Sequence, residues 1–445
     1  MSGQINEESY RENLRRLQDT TEKKYGKSID ALYRERQQRL WDAIEVRQPD
    51  RVPVMVGGSY FAARKAGLPY SSVYYDHYAW KHAYTNMLVN YGPDANGEGI
   101  TNSGAYLDLL GAQNSLWPGG TLPKNIAQQS IDGEWLRDDE YDHFLEDLTD
   151  FTLRKYLPRV YSALEPLSRL PELSSGSGMM PLNMVTRMLT DDDFRKVGEI
   201  LVKAGEEQKK WGAAMMGFAQ DIESLGFPPF GGHRTPGAPG APAYDTMANS
   251  FRGWKGIIKD MYRQPDKLIA AMEKITDMQI ARAKPADPNV PGPKFGGGGA
   301  IHRGSDRFMS KEQWERFYWP TWKRSMEKAI ELGYTPFIFA EGVCEERFEY
   351  FLEFPKGSIV IRFTDTNMFK AKEALGDHFC LVGSVPSTML QIASPSEVDE
   401  YCKKLIQVCG KGGGYILRAD TDYIQDANPE NVRIMVESVE KYGRY

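Results

Sequence analysis

The sequence predicts an α/β protein of the parallel (β/α)8 type, the TIM barrel. Four short apolar segments in the last third of the chain each end in a polar or acidic residue, and segments of helical character separate them. These four segments are residues 337–341, 359–365, 380–384 and 415–420. In a parallel array the C-terminal ends of the strands meet on one face, which carries the chemistry. We therefore expect the residues at these ends to line one pocket: Glu341, Asp365, Ser384 and Asp420.

The composition is that of a globular protein with enough sequence for a large core. The 445 residues are 41% apolar and 26% charged, with a net charge of −6 at pH 7. No segment rich in Lys and Arg supplies the basic face that nucleic-acid binding requires, so no nucleic-acid partner is expected. The N-terminus has no apolar signal segment, and no apolar segment approaches the roughly 20 residues of a membrane span. The sequence therefore predicts a cytoplasmic protein without membrane contact.

The four cysteines fall late in the chain and lack CxxC spacing. That pattern is typical of reduced core thiols rather than of a metal knuckle or a disulfide framework.

The first 50 residues are predicted to form a helical extension, and residues 51–445 are predicted to form the barrel. Residues 7–47 are rich in Arg, Gln, Glu and Leu, which favours one helix, and Pro49 ends it. Residues 52–56 are apolar apart from one proline and begin the first strand.

The middle of the chain predicts long helices and one irregular segment. Residues 71–90 are rich in aromatic side chains, which favours a packed helix. Thr190 can cap a long helix whose first turn contains three acidic residues. The segment 227–242 contains many prolines and glycines, which exclude a regular helix or central strand. It is either a plain connection or a substrate loop that brings His233 and Arg234 to a bound anion.

From residue 251 onward helices and strands alternate. A helix is predicted over 254–283, followed by a strand at 294–302 that contains four glycines and ends in His302. Glycines in a strand indicate close approach of backbone or ligand. Capping-box patterns at 310–313 and 394–397 predict the starts of two further helices.

Motifs in a fixed order along the second half of the chain are similar to those of one known superfamily. They are Ala-Lys-Glu-Ala-Leu-Gly at 371–376, Leu-Val-Gly-Ser-Val-Pro at 381–386, Ser-Pro-Ser-Glu-Val-Asp-Glu-Tyr at 394–401, Gly-Gly-Gly-Tyr-Ile-Leu at 412–417 and Pro-Glu-Asn-Val at 429–432. In order and spacing they resemble the uroporphyrinogen decarboxylase superfamily, in particular its branch of corrinoid-linked methyltransferases. The resemblance implies a (β/α)8 barrel.

Two departures from the superfamily change the expected chemistry. Uroporphyrinogen decarboxylases carry an Arg-Gln-Ala-Gly-Arg segment that binds substrate carboxylates, but residues 57–67 have no such pair of arginines. A porphyrinogen substrate is therefore not expected. The thiol methyltransferases carry a His-x-Cys zinc motif where this chain has Ala-Glu-Gly-Val at 340–343, and their later cysteine ligand falls near 420–422. Carboxylates in place of thiolates favour harder ions or no ion.

The resemblance implies a methyltransferase that acts with a corrinoid (cobalamin) cofactor on a methylated small molecule, such as a methoxylated compound. The chain lacks the Asp-x-His-x-x-Gly motif that binds cobalamin, so the corrinoid is expected on a separate carrier protein. Two alternatives remain open: a decarboxylase of a small carboxylated ring, and a catalytically silent barrel that acts as a binding subunit.

The candidate catalytic residues are Glu341, His302, Asp420 and Asp422. Glu341 and His302 each end a predicted strand. Asp420 and Asp422 form a close acidic pair, and like charges held together raise one pKa, which yields a general acid at neutral pH. If a divalent metal such as zinc binds, the predicted ligands are Glu341, His302 and Asp420.

Five further residues are predicted to bind substrate: Asp365, Ser384, His233, Arg234 and Arg303. Arg303 belongs to a segment, 302–306, that supplies a base, a cation and an acid within five residues. For Asp365 an alternative is open, because it precedes a helix and can act as its N-cap.

Overall fold

The structure, a computed structural model, describes residues 5–97, 102–173, 176–230 and 237–445. Two of the predicted substrate-binding residues, His233 and Arg234, lie outside the described residues.

Helices supply most of the regular structure before residue 225. They are α1 (Glu7–Tyr25), α2 (Ile29–Ile44), α3 (Ser59–Lys65), α4 (Ser72–Tyr75), α5 (His77–Tyr91), α6 (Gly104–Leu110), α7 (Tyr141–Glu146), α8 (Leu148–Phe151), α9 (Leu157–Val160), α10 (Met180–Thr190) and α11 (Asp192–Glu223). A π-helical turn, Thr152–Tyr156, and a 3-10 segment, Ser162–Arg169, flank α9.

After residue 240 the helices alternate with strands. The helices are α12 (Ala243–Thr246), α13 (Gly253–Arg263), α14 (Pro265–Arg282), α15 (Lys311–Gln313), α16 (Trp319–Glu331), α17 (Phe348–Phe351), α18 (Met368–Leu375), α19 (Ser387–Ile392), α20 (Pro395–Cys409) and α21 (Pro429–Tyr442). Two π-helical segments, Met247–Arg252 and Trp314–Tyr318, and the 3-10 turn Glu345–Arg347 extend them.

The strands are short. They are β1 (Met55–Val56), β2 (Ala95–Asn96), β3 (Ser115–Leu116), β4 (Gln129–Ser130), β5 (Phe295–Ile301), β6 (Thr335–Ala340), β7 (Val360–Phe363), β8 (Cys380–Val382) and β9 (Tyr415–Ile416).

The predicted parallel array is confirmed. Strands β5 to β9 form one parallel sheet in chain order, and β1 pairs in parallel with β2. A parallel bridge between Val54 and Leu417 joins β9 to β1, and the Met55 N–H donates to the Leu417 carbonyl at 3.0 Å. Seven parallel strands therefore follow one another.

The predicted closed eight-stranded barrel is not fully formed in the described residues, since no hydrogen-bonded strand there joins β2 to β5. The intervening segment includes Pro228 and Pro229, which have no N–H to donate to a ladder. Next to them Phe230 packs its ring against Phe295 and Phe337, at centroid distances of 4.9 and 5.6 Å. A side-chain contact replaces a backbone ladder at this position.

The N-terminal extension is two helices, which corrects the single helix predicted for 7–47. Gly26 adopts φ 62° and ends α1, and the Ser28 side chain caps α2. A left-handed residue at this position stops a helix. From α2, Leu40 and Ile44 belong to the apolar cluster formed by inward-facing strand residues, so this helix packs against the sheet interior.

A buried carboxylate, Asp94, ties α2 to the first two strands. It accepts hydrogen bonds from Arg39 at 2.6 Å, from Arg51 at 2.7 and 2.9 Å, and from the Val54 N–H at 2.8 Å. Burial acts to raise the pKa of Asp94, but the two arginines outweigh it and lower that pKa to about 2. The carboxylate is therefore charged at any physiological pH.

Helix starts largely follow the predicted caps. The capping boxes of Ser310 and Ser394 are both present. The long helix α11 begins with Asp191 as its cap instead of Thr190, because the Asp191 carboxylate accepts the first N–H groups. The helix predicted over 254–283 is two helices, since Pro265 starts a new one. Within the described ranges, no helix has both the length and the apolar composition that crossing a membrane requires.

Candidate functional site

Three neighbouring cavities run along the C-terminal ends of β5 to β9. We call them the first, second and third cavities, and their volumes are about 670, 400 and 530 Å³ in that order. His302 and Glu341 line the first two, and Asp365 and Asp420 line the last two. Ser384 lines the third. The structure thus brings the four predicted strand-end residues together along one face.

His302 and Glu341 form a hydrogen-bonded pair between adjacent strand ends. His302 directly follows β5 and Glu341 follows β6, and the parallel register places Ile301 beside Ala340. The His302 Nδ1 is bonded to the Glu341 carboxylate. Burial acts to lower the pKa of His302, but the hydrogen bond and charge of Glu341, helped by Asp245, outweigh it and raise that pKa.

Asp245 holds the strand end that carries His302, and sequence reasoning missed it. Its carboxylate accepts the N–H of His302 at 3.0 Å and the N–H of Arg303 at 2.9 Å. The Tyr318 hydroxyl donates to it at 2.6 Å. Burial raises the pKa of Asp245, although these hydrogen bonds and the nearby His302 act against the rise. The only sequence signal was an acid three residues after the end of the segment rich in proline and glycine.

The glycines of β5 explain how the segment before Asp245 can approach this strand so closely. A Cβ on Gly298 would lie 2.3 Å from the Phe337 carbonyl oxygen. A Cβ on Gly299 would lie 3.0 Å from the Cα of Ala241, four residues before Asp245. The close approach predicted at these glycines is therefore an approach of other backbone segments to β5, where a side chain would not fit.

The carboxyl group of Asp420 is partly buried. Its Oδ1 is buried and has no hydrogen-bond partner among the described residues, and Ser387 donates weakly to Oδ2 at 3.4 Å. Burial, with a contribution from the charge of Asp365, raises the pKa of Asp420. Asp365 itself is exposed, and Asn367 caps α18 in its place. The alternative role of Asp365 as a helix cap is therefore wrong.

Asp422 does not act with Asp420 as the predicted acidic pair. Its carboxylate pairs with Arg362, at 2.8 Å, and with Arg418. Burial acts to raise the pKa of Asp422, but the charges of Arg418 and Arg362 outweigh it, and the pKa is lowered. A carboxylate held in its charged form between two arginines is not a proton donor at neutral pH. The close spacing of the two acids in sequence did not reveal the arginines.

We expect Asp422→Ala to destabilise the fold by about 2–3 kcal/mol, because two buried guanidinium groups lose a charged hydrogen-bond acceptor. Equilibrium urea unfolding measures the loss. Asp426→Ala, which removes an exposed carboxylate four residues away, is the matched control and should change the unfolding free energy by less than about 0.5 kcal/mol. Equal effects of the two substitutions would contradict the structural role of Asp422.

The other predicted substrate-binding residues differ in their surroundings. The Ser384 hydroxyl is buried and donates to the Thr364 carbonyl at 2.8 Å, which joins two strand ends. The Arg303 side chain lines the first cavity together with His302 and Glu341.

The predicted metal ligands do not fit a metal site. Within the described part of the chain, no three His, Cys, Asp or Glu side chains are grouped so that they could hold an ion. His302 and Glu341 use their facing atoms on each other, and Asp420 is not part of their contact. All four cysteines are buried and free, and burial raises the pKa of Cys344 to about 12, which disfavours the thiolate that binds metals.

Comparison with known proteins finds a sequence similarity over part of the chain and a similar fold over most of it. Residues 236–442 match the sequence model of the family described as uroporphyrinogen decarboxylase (URO-D). No curated protein sequence matches the chain. Among solved structures, a methyltransferase from Methanosarcina mazei is similar at a TM-score of 0.53 and 14% identity, covering 91% of this chain and 98% of that one.

The structural likeness extends the fold assignment beyond the matched residues, since it covers nearly the whole chain, while the low identity limits it to the fold. The strand ends that carry His302, Glu341, Asp365 and Asp420 all lie inside the matched range. Residues 236–442 thus match the uroporphyrinogen decarboxylase family model, and the resemblance predicted from the motifs of this region is confirmed.

Proposed function

We propose that this protein is a methyltransferase that moves a methyl group between a methylated small molecule, such as a methoxylated compound, and a corrinoid held by a separate carrier protein. The observation that carries the proposal is the His302–Glu341 pair at the strand ends, in a cavity of about 670 Å³. A volume of that size suits a small organic substrate.

The proton chemistry of this pair suits removal of a methyl group from an ether. When the bond between methyl carbon and oxygen breaks, the oxygen leaves with its electron pair and needs a proton. His302 can supply it, because Glu341 raises the pKa of the ring and favours its protonated form near neutral pH. The Nδ1 contact with Glu341 leaves Nε2 as the ring nitrogen that can reach substrate.

The strand ends are also accessible from outside the sheet. The side chains of His302 and Glu341 are 35% and 39% exposed. A reduced corrinoid supplies the nucleophile that takes the methyl group. The broad row of cavities along the strand ends, rather than a closed pocket, is compatible with a cofactor presented by another protein.

Corrinoid spectroscopy tests the proposal. The protein is mixed with cob(I)alamin and a panel of methoxylated compounds, and the corrinoid absorption is followed against samples that lack protein or methyl donor. We expect a loss of the cob(I)alamin spectrum that requires both. No spectral change with any donor, and none when methylcobalamin is offered with the demethylated compounds, would contradict methyl transfer.

Decarboxylation of a small carboxylated ring is a second candidate, because the matching family model is itself named for a decarboxylase. In that reaction His302 or Asp420, whose pKa values are both raised, would protonate the carbanion left by CO2. Release of CO2 without any corrinoid would favour this candidate. If neither reaction occurs, a silent binding subunit is the remaining alternative.

A further inference from the structure

Arg303 is a cation that lines the first cavity and has no anionic partner in the part of the chain that the structure describes. Among the described residues it forms no ion pair, and its Nε is buried without a hydrogen-bond acceptor. Its guanidinium group lies 5.6 Å from the ring centroid of Phe308, and its backbone N–H is held by Asp245. The two terminal guanidinium nitrogens are not buried in this way and form no hydrogen bond with another described residue, so they are the groups that can bind a ligand in the cavity.

The carboxylates that share this cavity already have other partners. Glu341 is bonded to His302, and the Asp132 Oδ1 accepts the N–H of Trp254 at 2.9 Å. Neither is paired with Arg303. A carboxylate arriving with the substrate would satisfy the guanidinium group, with the bidentate geometry that arginine favours.

Three aromatic residues also line the first cavity. Tyr106 from α6, Trp211 from α11 and Tyr161 line it, whereas Arg303, His302 and Glu341 come from the strand ends. Aromatic side chains bind a flat ring through stacked or edge contacts. Together, the three aromatic residues and Arg303 suit a planar molecule that carries a negative charge.

We propose that the first cavity binds a single-ring aromatic carboxylate that carries a methoxy group, with its carboxylate on Arg303 and its ring against Tyr106, Tyr161 and Trp211. Arg303 is then the residue that selects anionic substrates. His302 and Arg303 are consecutive, with Cα atoms about 3.8 Å apart, so both side chains can contact one small ring. This proposal names the substrate class and rests on the proposed function.

Binding of an isosteric pair of probes tests it. Isothermal titration calorimetry without corrinoid compares 3-methoxybenzoate with 3-methoxybenzamide, which has the same shape and no charge. We expect the wild type to prefer the acid, and Arg303→Gln to weaken binding of the acid by about 10–100-fold, since a charge-assisted hydrogen bond is lost. Arg303→Lys should give an intermediate loss, and binding of the amide should not depend on the variant.

Arg307→Gln is the matched control, because Arg307 is exposed on the same loop and does not line the cavity. It should bind the acid as the wild type does. Thermal unfolding of each variant checks that the fold is retained. The proposal is overturned if the wild type binds neither probe, if acid and amide bind equally, or if Arg303→Gln leaves the affinity for the acid unchanged.

The binding test and the corrinoid test can fail independently of each other. Arg303-dependent binding of the acid without any corrinoid reaction would support the substrate class and contradict the proposed function. Methyl transfer from neutral methoxylated compounds that is unaffected by Arg303→Gln would support the function and overturn the substrate class.

Discussion

Replacing His302 with glutamine is expected to lower kcat for a methoxylated substrate by about 10²–10⁴-fold, the usual contribution of a positioned general acid. Glutamine retains hydrogen-bonding groups but cannot transfer a proton to the leaving oxygen. Steady-state kinetics with corrinoid in excess measures the loss. KM should change much less than kcat, because the His302 imidazole acts only when the bond between the methyl carbon and the oxygen breaks.

The pH profile separates a proton donor from a structural histidine. A general acid works while protonated, so activity is expected below the raised pKa of His302 and is lost as pH rises through it. Glu341→Gln removes the hydrogen bond and the charge that raise this pKa, and should move the descending limb to lower pH. His378→Gln, outside the three cavities, is the control and should leave kcat and the profile unchanged. Unchanged kcat and pH profiles in both the His302 and Glu341 variants would contradict the role of His302 as the proton donor.

Asp94→Asn is expected to cost about 3–5 kcal/mol of stability, the usual effect of breaking a buried ion pair. Asp94 is fully buried, and Arg39 and Arg51 are nearly so. The substitution keeps the volume but leaves two buried cations without their shared carboxylate. Equilibrium denaturation of the full chain measures the difference.

The control for Asp94 uses the same arginine. Asp50 also pairs with Arg39, but its side chain is 56% exposed, so Asp50→Asn should cost less than about 1 kcal/mol. The folded pKa of Asp94 is lowered to about 2, so its contribution is present above the unfolded pKa near 3.8 and is lost as pH falls towards 2. Equal losses for the two variants, or a loss that persists at the lowest pH, would contradict the assignment.

Much of the candidate site could be predicted because its signals are local. An apolar segment followed by a polar residue marks a buried parallel strand and its end, whatever the rest of the chain does. Glu341, Asp365 and Asp420 were found in this way, and His302 by the same pattern at the end of a glycine-rich strand. The cavities at these strand ends contain all four residues.

Partners from distant segments could not be predicted. Asp245 lies 57 residues before His302, and only the packing of α12 beside β5 brings its carboxylate to the backbone there. In the sequence nothing distinguishes Asp422 from Asp420. Arg362, which lies in β7, forms the ion pair that distinguishes Asp422 in the structure. The gap between β2 and β5 could not be predicted either. There the ring of Phe230 packs against Phe295 and Phe337, which are distant from it in sequence.

The sequence by itself determined a parallel α/β protein with acidic and histidine side chains at its strand ends, and motifs in its second half that resemble the uroporphyrinogen decarboxylase superfamily. Those features depend on neighbours a few residues away, because strand burial and helix capping are short-range effects. Only the tertiary structure decided that His302 is hydrogen-bonded to Glu341, that Asp422 is ion-paired, and that Arg303 has no ion pair among the described residues. Protonation and pairing depend on burial and on charges a few ångströms away in space, and folding, not chain order, sets those distances.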